Sequence, residues 1–373
     1  MRVMFVITIM GRGGAETQVK DLALALASRG HAVAVLSLLG FEDFEAELRR
    51  GGVETLSIGM ARGIPSPRAI ARLTRFSGRF KPDIVHAHMF AAILQARCAR
   101  MIPPRVRGAW KAVVSTSHAW GEPSRARYLA YRVTSPLSEQ WTSVSRRGLV
   151  AHQAHGALGR HPAVQFPNGV DIGRFCPDAA QREDARRAFS VGSAFVWLAV
   201  GSFRDETKDF GTMLKAFAGV VQRVPPSLLL IAGEGSLLEE KQALARSLGL
   251  EARVRFLGLR LDVVRLIQSA DGYELSSQLE GMPIVLLEAA AGALPIVTTD
   301  VGECSDIVVD GETGFVVPPR DAARLADAMN GVEAMDETAR AKMGEAGRAR
   351  VVARFALDAV VARWEELYQR LSA

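Results

Sequence analysis

The chain has 373 residues, 49% hydrophobic and 23% charged, which is the make-up of an ordinary globular protein with two or three domains. No apolar run approaches the roughly 18 residues of a membrane span, and the apolar start Val3–Ile9 is too short for a leader peptide. Three scattered cysteines, Cys98, Cys176 and Cys304, exclude a disulfide framework, favour a reducing cytoplasm and read as small core hydrophobes.

The net charge of +6 is unevenly spread. Residues 1–180 hold 24 Lys and Arg against 12 Asp and Glu, whereas residues 181–373 hold 22 against 28. One half is therefore expected to face an anionic partner. With no nucleic-acid module in sight, a membrane surface or a phosphate-bearing acceptor is preferred to nucleic acid.

Taken in chain order, Val3–Ile9 reads as a buried strand, followed by the loop Gly11-Arg12-Gly13-Gly14-Ala15-Glu16. A dinucleotide fingerprint would need glycine where Glu16 stands and an acid at the end of the second strand, so this loop does not predict NAD binding. A helix follows, with Val19, Leu22, Ala23 and Leu26 on one face and Gly30 at its end; the strand His31–Leu36 completes a βαβ unit. Arg68, Arg72, Arg75 and Arg79 then form one helical stripe opposite Ile70, Leu73 and Phe80. Such a face is either simply solvated or suited to anionic lipid headgroups. Further strands are expected at Ile84–Ala87, Val113–Ser117, Trp141–Val144 and Val164–Phe166. His86 and His88, two apart on a strand, share a face. They could line an acceptor cleft or be structural; no third ligand points to metal. His118 follows the strand at 113–117 in a polar loop.

Turn residues at Pro167-Asn168-Gly169-Val170-Asp171 and Cys176-Pro177-Asp178 suit a linker, and the pattern then restarts. Strands are expected at Phe195–Val200, Leu228–Ala232, Val254–Phe256, Tyr273–Ser276 and Ile296–Thr298, with a helix carrying Phe210, Met213, Leu214 and Phe217. After Tyr273–Ser276 comes Glu280-Gly281-Met282-Pro283-Ile284-Val285, running into an apolar helix with Glu288 on its second turn and Pro283 in its first. A helix start holds an anion with free backbone N–H groups and its dipole. A carboxylate on either side can accept from sugar hydroxyls, so the layout fits a nucleotide sugar, hexose at Glu280 and ribose at Glu288. The alternation throughout predicts α/β architecture, two Rossmann-like domains facing a cleft: residues 1–170 with a returning helix at about 355–373, and residues 171–354.

An ordered set of motifs spans nearly the whole chain: Gly13-Gly14-Ala15-Glu16, His86-Ala87-His88, Ser117-His118, Pro167 to Asp171, Lys208-Asp209, Gly233-Glu234-Gly235, Glu280 to Glu288 and Gly311-Glu312-Thr313-Gly314. In this order they resemble the retaining GT-B glycosyltransferases of family 4, the group 1 transferases. The resemblance implies that His118 lies beside the transferred sugar, and that Gly13 and Gly14 approach the donor's distal phosphate. It implies a basic clamp on the diphosphate from the loop ending at Lys208. The sequence departs from the family there, because Ser202 takes the usual arginine position, and Arg204 is the candidate substitute. Gly233, Glu280, Gly281, Met282, Pro283, Ile284, Val285 and Glu288 complete the donor set; Glu16, His86 and His88 are the acceptor-side candidates. Glu274 stands in a strand where the family has an apolar residue.

The resemblance implies metal-independent transfer of a hexose, UDP-linked, to a saccharide or lipid-linked acceptor in cell-surface polysaccharide synthesis. No cofactor beyond the nucleotide sugar is expected, and no Asp-x-Asp occurs to bind a cation. The expected location is the cytoplasm, with peripheral contact to the membrane's inner face through Arg68, Arg72, Arg75 and Arg79. A sugar-nucleotide epimerase and a non-catalytic sugar-nucleotide or headgroup-binding subunit are the alternatives.

Overall fold

A computed structural model describes residues 1–61, 66–159, 163–221 and 227–373. The chain divides into two compact units: Met1–Gly169 with Leu357–Ala373, and Val170–Ala356.

In the first unit the strands are β1 (Arg2–Ile7), β2 (Ala32–Ser37), β3 (Glu54–Ser57), β4 (Ile84–His88), β5 (Ala112–Ser117), β6 (Gln140–Ser143) and β7 (Ala163–Gln165). They pair in parallel in the order β3-β2-β1-β4-β5-β6-β7. A parallel sheet covered by helices on both faces needs apolar residues on both sides of its strands. β1 supplies them in alternation. Val3, Phe5 and Ile7 join one core with Val19, Leu22 and the returning helix residues Val360, Trp364 and Tyr368. Met4 and Val6 join the other, with Leu73, Phe76, Phe80 and Ile93. The stripe arginines lie on the helix Pro67–Phe80, whose apolar side provides Leu73, Phe76 and Phe80. All four arginines are exposed. Arg72 donates to the Ile58 carbonyl, and Arg79 lies 5.1 Å over the Phe76 ring.

In the second unit the strands are β8 (Phe195–Val200), β9 (Ser227–Ala232), β10 (Val254–Phe256), β11 (Gly272–Leu275), β12 (Ile296–Thr299) and β13 (Gly314–Val317), parallel in the order β10-β9-β8-β11-β12-β13. The helices Phe210–Val221 and Ala322–Ala334 bury Phe210, Met213, Phe217, Leu325 and Met329 against Trp197, Leu229 and Ile231. Two strands were not expected from the sequence, β3 and β13. Both are four-residue edge strands; β3 is only partly buried and has no apolar run, whereas β13 carries the short run Phe315, Val316 and Val317. Among the cysteines, Cys304 is buried and Cys98 half-buried, but Cys176 is exposed and not a core residue. Among the described residues no helix is long and apolar enough to cross a membrane.

Candidate active site

Each sheet has one place where the strand order reverses: between β1 and β4 in the first unit, and between β8 and β11 in the second. Loops leaving the C-terminal ends of neighbouring strands diverge there and leave a crevice suited to a ligand. Of the site residues expected from the sequence, Gly13 lies on the loop after β1, Arg204 and Lys208 on the one after β8, and Glu280, Gly281, Met282 and Pro283 on the one after β11; the others lie in β4, in helices, or after β5 and β9.

In the second unit the loop after β8 ends in a short turn, Glu206–Lys208, and the loop after β11 carries Glu280. Lys208 Nζ donates to Glu280 Oε1 at 2.6 Å, and Ser277 Oγ donates to the same oxygen at 2.6 Å. Further bonds fasten the two loops together: Ser276 Oγ to the Lys208 carbonyl at 2.9 Å, and the Gln278 N–H to the Thr207 carbonyl at 2.8 Å. Glu280 and Lys208 keep only 11% and 21% of their side chains exposed, enough to meet a ligand but not to wander. Two glycines allow the neighbouring loops to come this close. A Cβ on Gly233 (φ 154°) would fall 1.8 Å from the Gly201 carbonyl, and one on Gly302 (φ 53°) would fall 2.3 Å from the Glu280 carbonyl.

The helix after Glu280 runs Ile284–Ala291. Pro283 is its capping residue, with extended backbone (ψ 116°), and not part of its first turn as expected; the peptide enters the helix one residue later. Met282, Pro283 and Ile284 are buried, while Gly281, Val285 and Glu288 keep partial exposure. Glu280 and Glu288 are brought into one neighbourhood. Burial first, and then the carboxylates of Glu288, Glu274 and Glu280, push the Tyr273 phenol far above its usual range. Arg204 is exposed, its backbone N–H 3.3 Å from Ser202 Oγ. Glu274 is fully buried, with neither carboxylate oxygen hydrogen-bonded. Burial and the nearby Asp209 raise its pKa well above the carboxylate range.

In the first unit the loop after β1 leads into the helix Gly14–Ser28, capped by Gly13. Glu16, in the first turn where the helix dipole favours an acid, is 8% exposed and folds back over Gly13. A Cβ there would lie 2.3 Å from Glu16 Oε2. Beside this loop a hollow of about 270 Å³ is lined by Ile9, Leu39, Gly40, Phe41, Glu42 and Met60. These residues come from separated segments, and no motif marked them.

His86 and His88 do share a face, with ring centroids 4.0 Å apart, but neither faces outward. His86 is fully buried; its Nδ1 is 2.6 Å from the Tyr368 hydroxyl and its Nε2 2.5 Å from Thr116 Oγ1. It is a core residue holding the returning helix to β4 and β5, which corrects its expected place among the acceptor-side groups. His88 is 1% exposed and reaches His118 instead, Nδ1 to Nε2 at 2.9 Å. His118, partly exposed, is the member of this column that meets the loop edge. Burial depresses its pKa to about 4. His86 and His88 are pushed well below the usual range by burial and by their imidazole neighbours. Tyr368, Thr116 and Ser277 are the partners that the sequence motifs did not flag; Ser277, three residues before Glu280, was the one with a legible position. Among the described residues no three His, Cys, Asp or Glu side chains gather as a metal-ligand set.

The chain matches the family model for glycosyl transferases group 1 over residues 181–350 and that for glycosyltransferase family 4 over residues 12–174. It is 27% identical over 370 residues to a GDP-mannose-dependent alpha-(1-6)-phosphatidylinositol monomannoside mannosyltransferase of Mycobacterium tuberculosis, covering 94% of this chain and 93% of that protein. Likeness to a phosphatidyl-myo-inositol mannosyltransferase of the same organism is 29% over 340 residues, covering 85% and 83%. Among solved structures, HepE of Anabaena in complex with UDP superposes with a TM-score of 0.84 at 22% identity, covering 99% of this chain and 100% of that one. A sucrose-phosphate synthase from Thermosynechococcus elongatus gives 0.84 at 21%, covering 100% and 99%. The two family matches adjoin and between them take in nearly the whole chain, so the protein is a glycosyltransferase of the GT-B fold and belongs to the group 1, family 4 transferases.

Proposed function

We propose that this enzyme transfers a hexose, with retention of anomeric configuration and without a metal ion, from a nucleoside-diphosphate sugar to a saccharide or lipid-linked acceptor. The observation that carries this reading is the Lys208–Glu280 pair at the β8/β11 switch point. Lys208 supplies a cation for the departing diphosphate, and the start of the helix Ile284–Ala291 adds backbone N–H groups. Glu280 orients the hexose and Glu288, two turns on, the ribose. Gly233, Gly281, Met282, Pro283, Ile284 and Val285 shape the donor site, and Arg204 is exposed on the neighbouring loop to reach the diphosphate. In the reaction the bond from C1 to the diphosphate oxygen breaks while the acceptor oxygen bonds C1 on the same face. The acceptor's proton passes to the leaving diphosphate. Fixed charge and orientation supply the acceleration, and no protein nucleophile is needed.

Two donors are supported by different observations. The UDP-linked hexose expected from the sequence has the support of the UDP bound in HepE. GDP-mannose has the support of the higher sequence identity to the mycobacterial mannosyltransferase. The names of those relatives and the exposed arginines of the helix Pro67–Phe80 favour a lipid-linked acceptor met at the inner face of a membrane, in cell-surface polysaccharide or glycolipid synthesis. The test is to offer UDP-glucose, UDP-galactose, GDP-mannose and ADP-glucose in turn, with EDTA present. Melting shift, nucleotide release and the anomeric configuration of the product are then read. A shift and release with one donor, and a product of the donor's own configuration, are expected. An inverted product, or loss of all turnover in EDTA, overturns the proposal.

A further inference from the structure

His86, His88 and His118 form a column whose neighbouring ring centroids are 4.0 Å and 5.2 Å apart. His86 is saturated, one nitrogen on Tyr368 and the other on Thr116, whose oxygen is in turn 2.5 Å from Thr142 Oγ1. The contact between His88 Nδ1 and His118 Nε2, at 2.9 Å, has room for a single proton. If His118 supplied that proton, neutral His88 would carry its own on Nε2, which is buried and has no hydrogen-bond partner. A buried N–H with no acceptor is among the rarest features of folded proteins, whereas a bare acceptor is better tolerated. If His88 supplies it, its Nε2 is a bare lone pair and the conflict disappears.

We infer that His88 is a positioning residue that fixes His118 as the Nδ1–H tautomer. His118 Nδ1 takes no hydrogen bond from any described residue, and His118 is partly exposed at the end of β5. The N–H therefore points a neutral donor outward, at the edge of the sheet where ligands bind in this topology. Burial keeps the column uncharged, so the donor persists across the physiological range. With Nε2 occupied and Nδ1 protonated, His118 has no lone pair for the acceptor's proton. It offers a fixed hydrogen-bond donor at this loop edge; the effect of that donor on turnover rests on the proposed transfer.

The test uses the full chain labelled with 15N-histidine and long-range 1H–15N correlation, which separates Nδ1–H from Nε2–H imidazoles, with His118→Gln to assign the signal. Wild-type His118 is expected as Nδ1–H. His88→Phe is expected to move it toward Nε2–H and to lower kcat about tenfold or more, with a smaller change in donor KM. His88→Asn keeps an N–H near the position of Nδ1 and is expected to restore the tautomer and most of the turnover. An Nε2–H signal in the wild type, or an unchanged tautomer in His88→Phe, overturns the positioning role. A shifted tautomer with unchanged kcat leaves positioning intact and overturns the part of this donor in turnover. Should His88→Phe fail to fold, the wild-type spectrum and His88→Asn still decide.

Discussion

Lys208 Nζ lies 2.6 Å from Glu280 Oε1, so the cation of one loop and the acid of the other are already joined where the strand order reverses. In the proposed reaction the diphosphate would compete with Glu280 for the ammonium, and the sugar with Lys208 for the carboxylate. Lys208→Ala is expected to lower kcat about tenfold or more, since charge developing on the leaving group loses its counter-ion. Steady-state kinetics with an unchanged melting temperature would check this. Near-normal turnover would remove Lys208 from the clamp.

Glu288 stands on the second turn of the helix Ile284–Ala291 and keeps partial exposure. Glu288→Ala is expected to weaken nucleoside diphosphate binding about tenfold, about 1.4 kcal/mol, the scale of one hydrogen bond to a charged group. Calorimetric titration with UDP and GDP measures it. Equal affinity in the variant would place the ribose elsewhere.

Gly302 matters through Glu280 although it touches no substrate in the proposed reaction. Gly302→Ala places a methyl 2.3 Å from the Glu280 carbonyl at a φ of 53°. The left-handed backbone alone costs about 1–2 kcal/mol, and the collision must push the Glu280 loop aside. Lower stability by chemical denaturation, together with a larger fractional loss of kcat than of stability at the assay temperature, is the expected pair of results.

The histidine column predicts acid sensitivity with a definite sign. His118 has a folded pKa of about 4 against an ordinary 6.5, and His86 and His88 are depressed as well. Below pH 6.5 the unfolded chain therefore binds protons that the folded chain refuses. Stability is fully present above that pH and falls as the pH drops toward 4, by about 1.4 kcal/mol per pH unit for each such histidine. His118→Gln should flatten the dependence of the melting temperature between pH 7 and pH 5. Parallel curves for the two proteins would refute the assignment.

Glu274 has the opposite sign. Its folded pKa is raised, so above the ordinary carboxyl range the unfolded chain ionises it while the folded chain keeps it protonated, and stability declines as pH rises. Glu274→Met removes two unpartnered oxygens from the core. A gain of about 1–3 kcal/mol is expected at pH 7, larger than the gain at pH 5. A loss of stability at both pH values would reveal a partner that the buried carboxyl needs.

Much of the architecture was legible because alternation of buried strand and amphipathic helix is a local property. Val3 to Ile9 and Phe195 to Val200 announce central strands by their apolar runs, and Pro167 to Asp171 announces a break between repeating patterns. The structure puts the division at Gly169/Val170 and returns the helix Leu357–Ser372 to the first unit, where Trp364 and Tyr368 enter its core. The edge strand β3 escaped because partial burial erases the pattern, whereas β13 was missed although Phe315 to Val317 is an apolar run.

Sequence by itself determined the family, the order of elements and the loops that hold Lys208, Glu280 and His118, because motif spacing is written along the chain. Only tertiary structure decided which side chains meet. The Lys208–Glu280 bond joins residues 72 positions apart, and the Tyr368–His86 bond joins residues 282 apart. The same lies behind the separation of His86, locked in the core, from His118 at the edge, because the sequence left His86 open between lining a cleft and a structural role. Which strands lie side by side, and hence which of these groups are desolvated and which reach the loop edge, is a property of the packed sheet that no local pattern encodes.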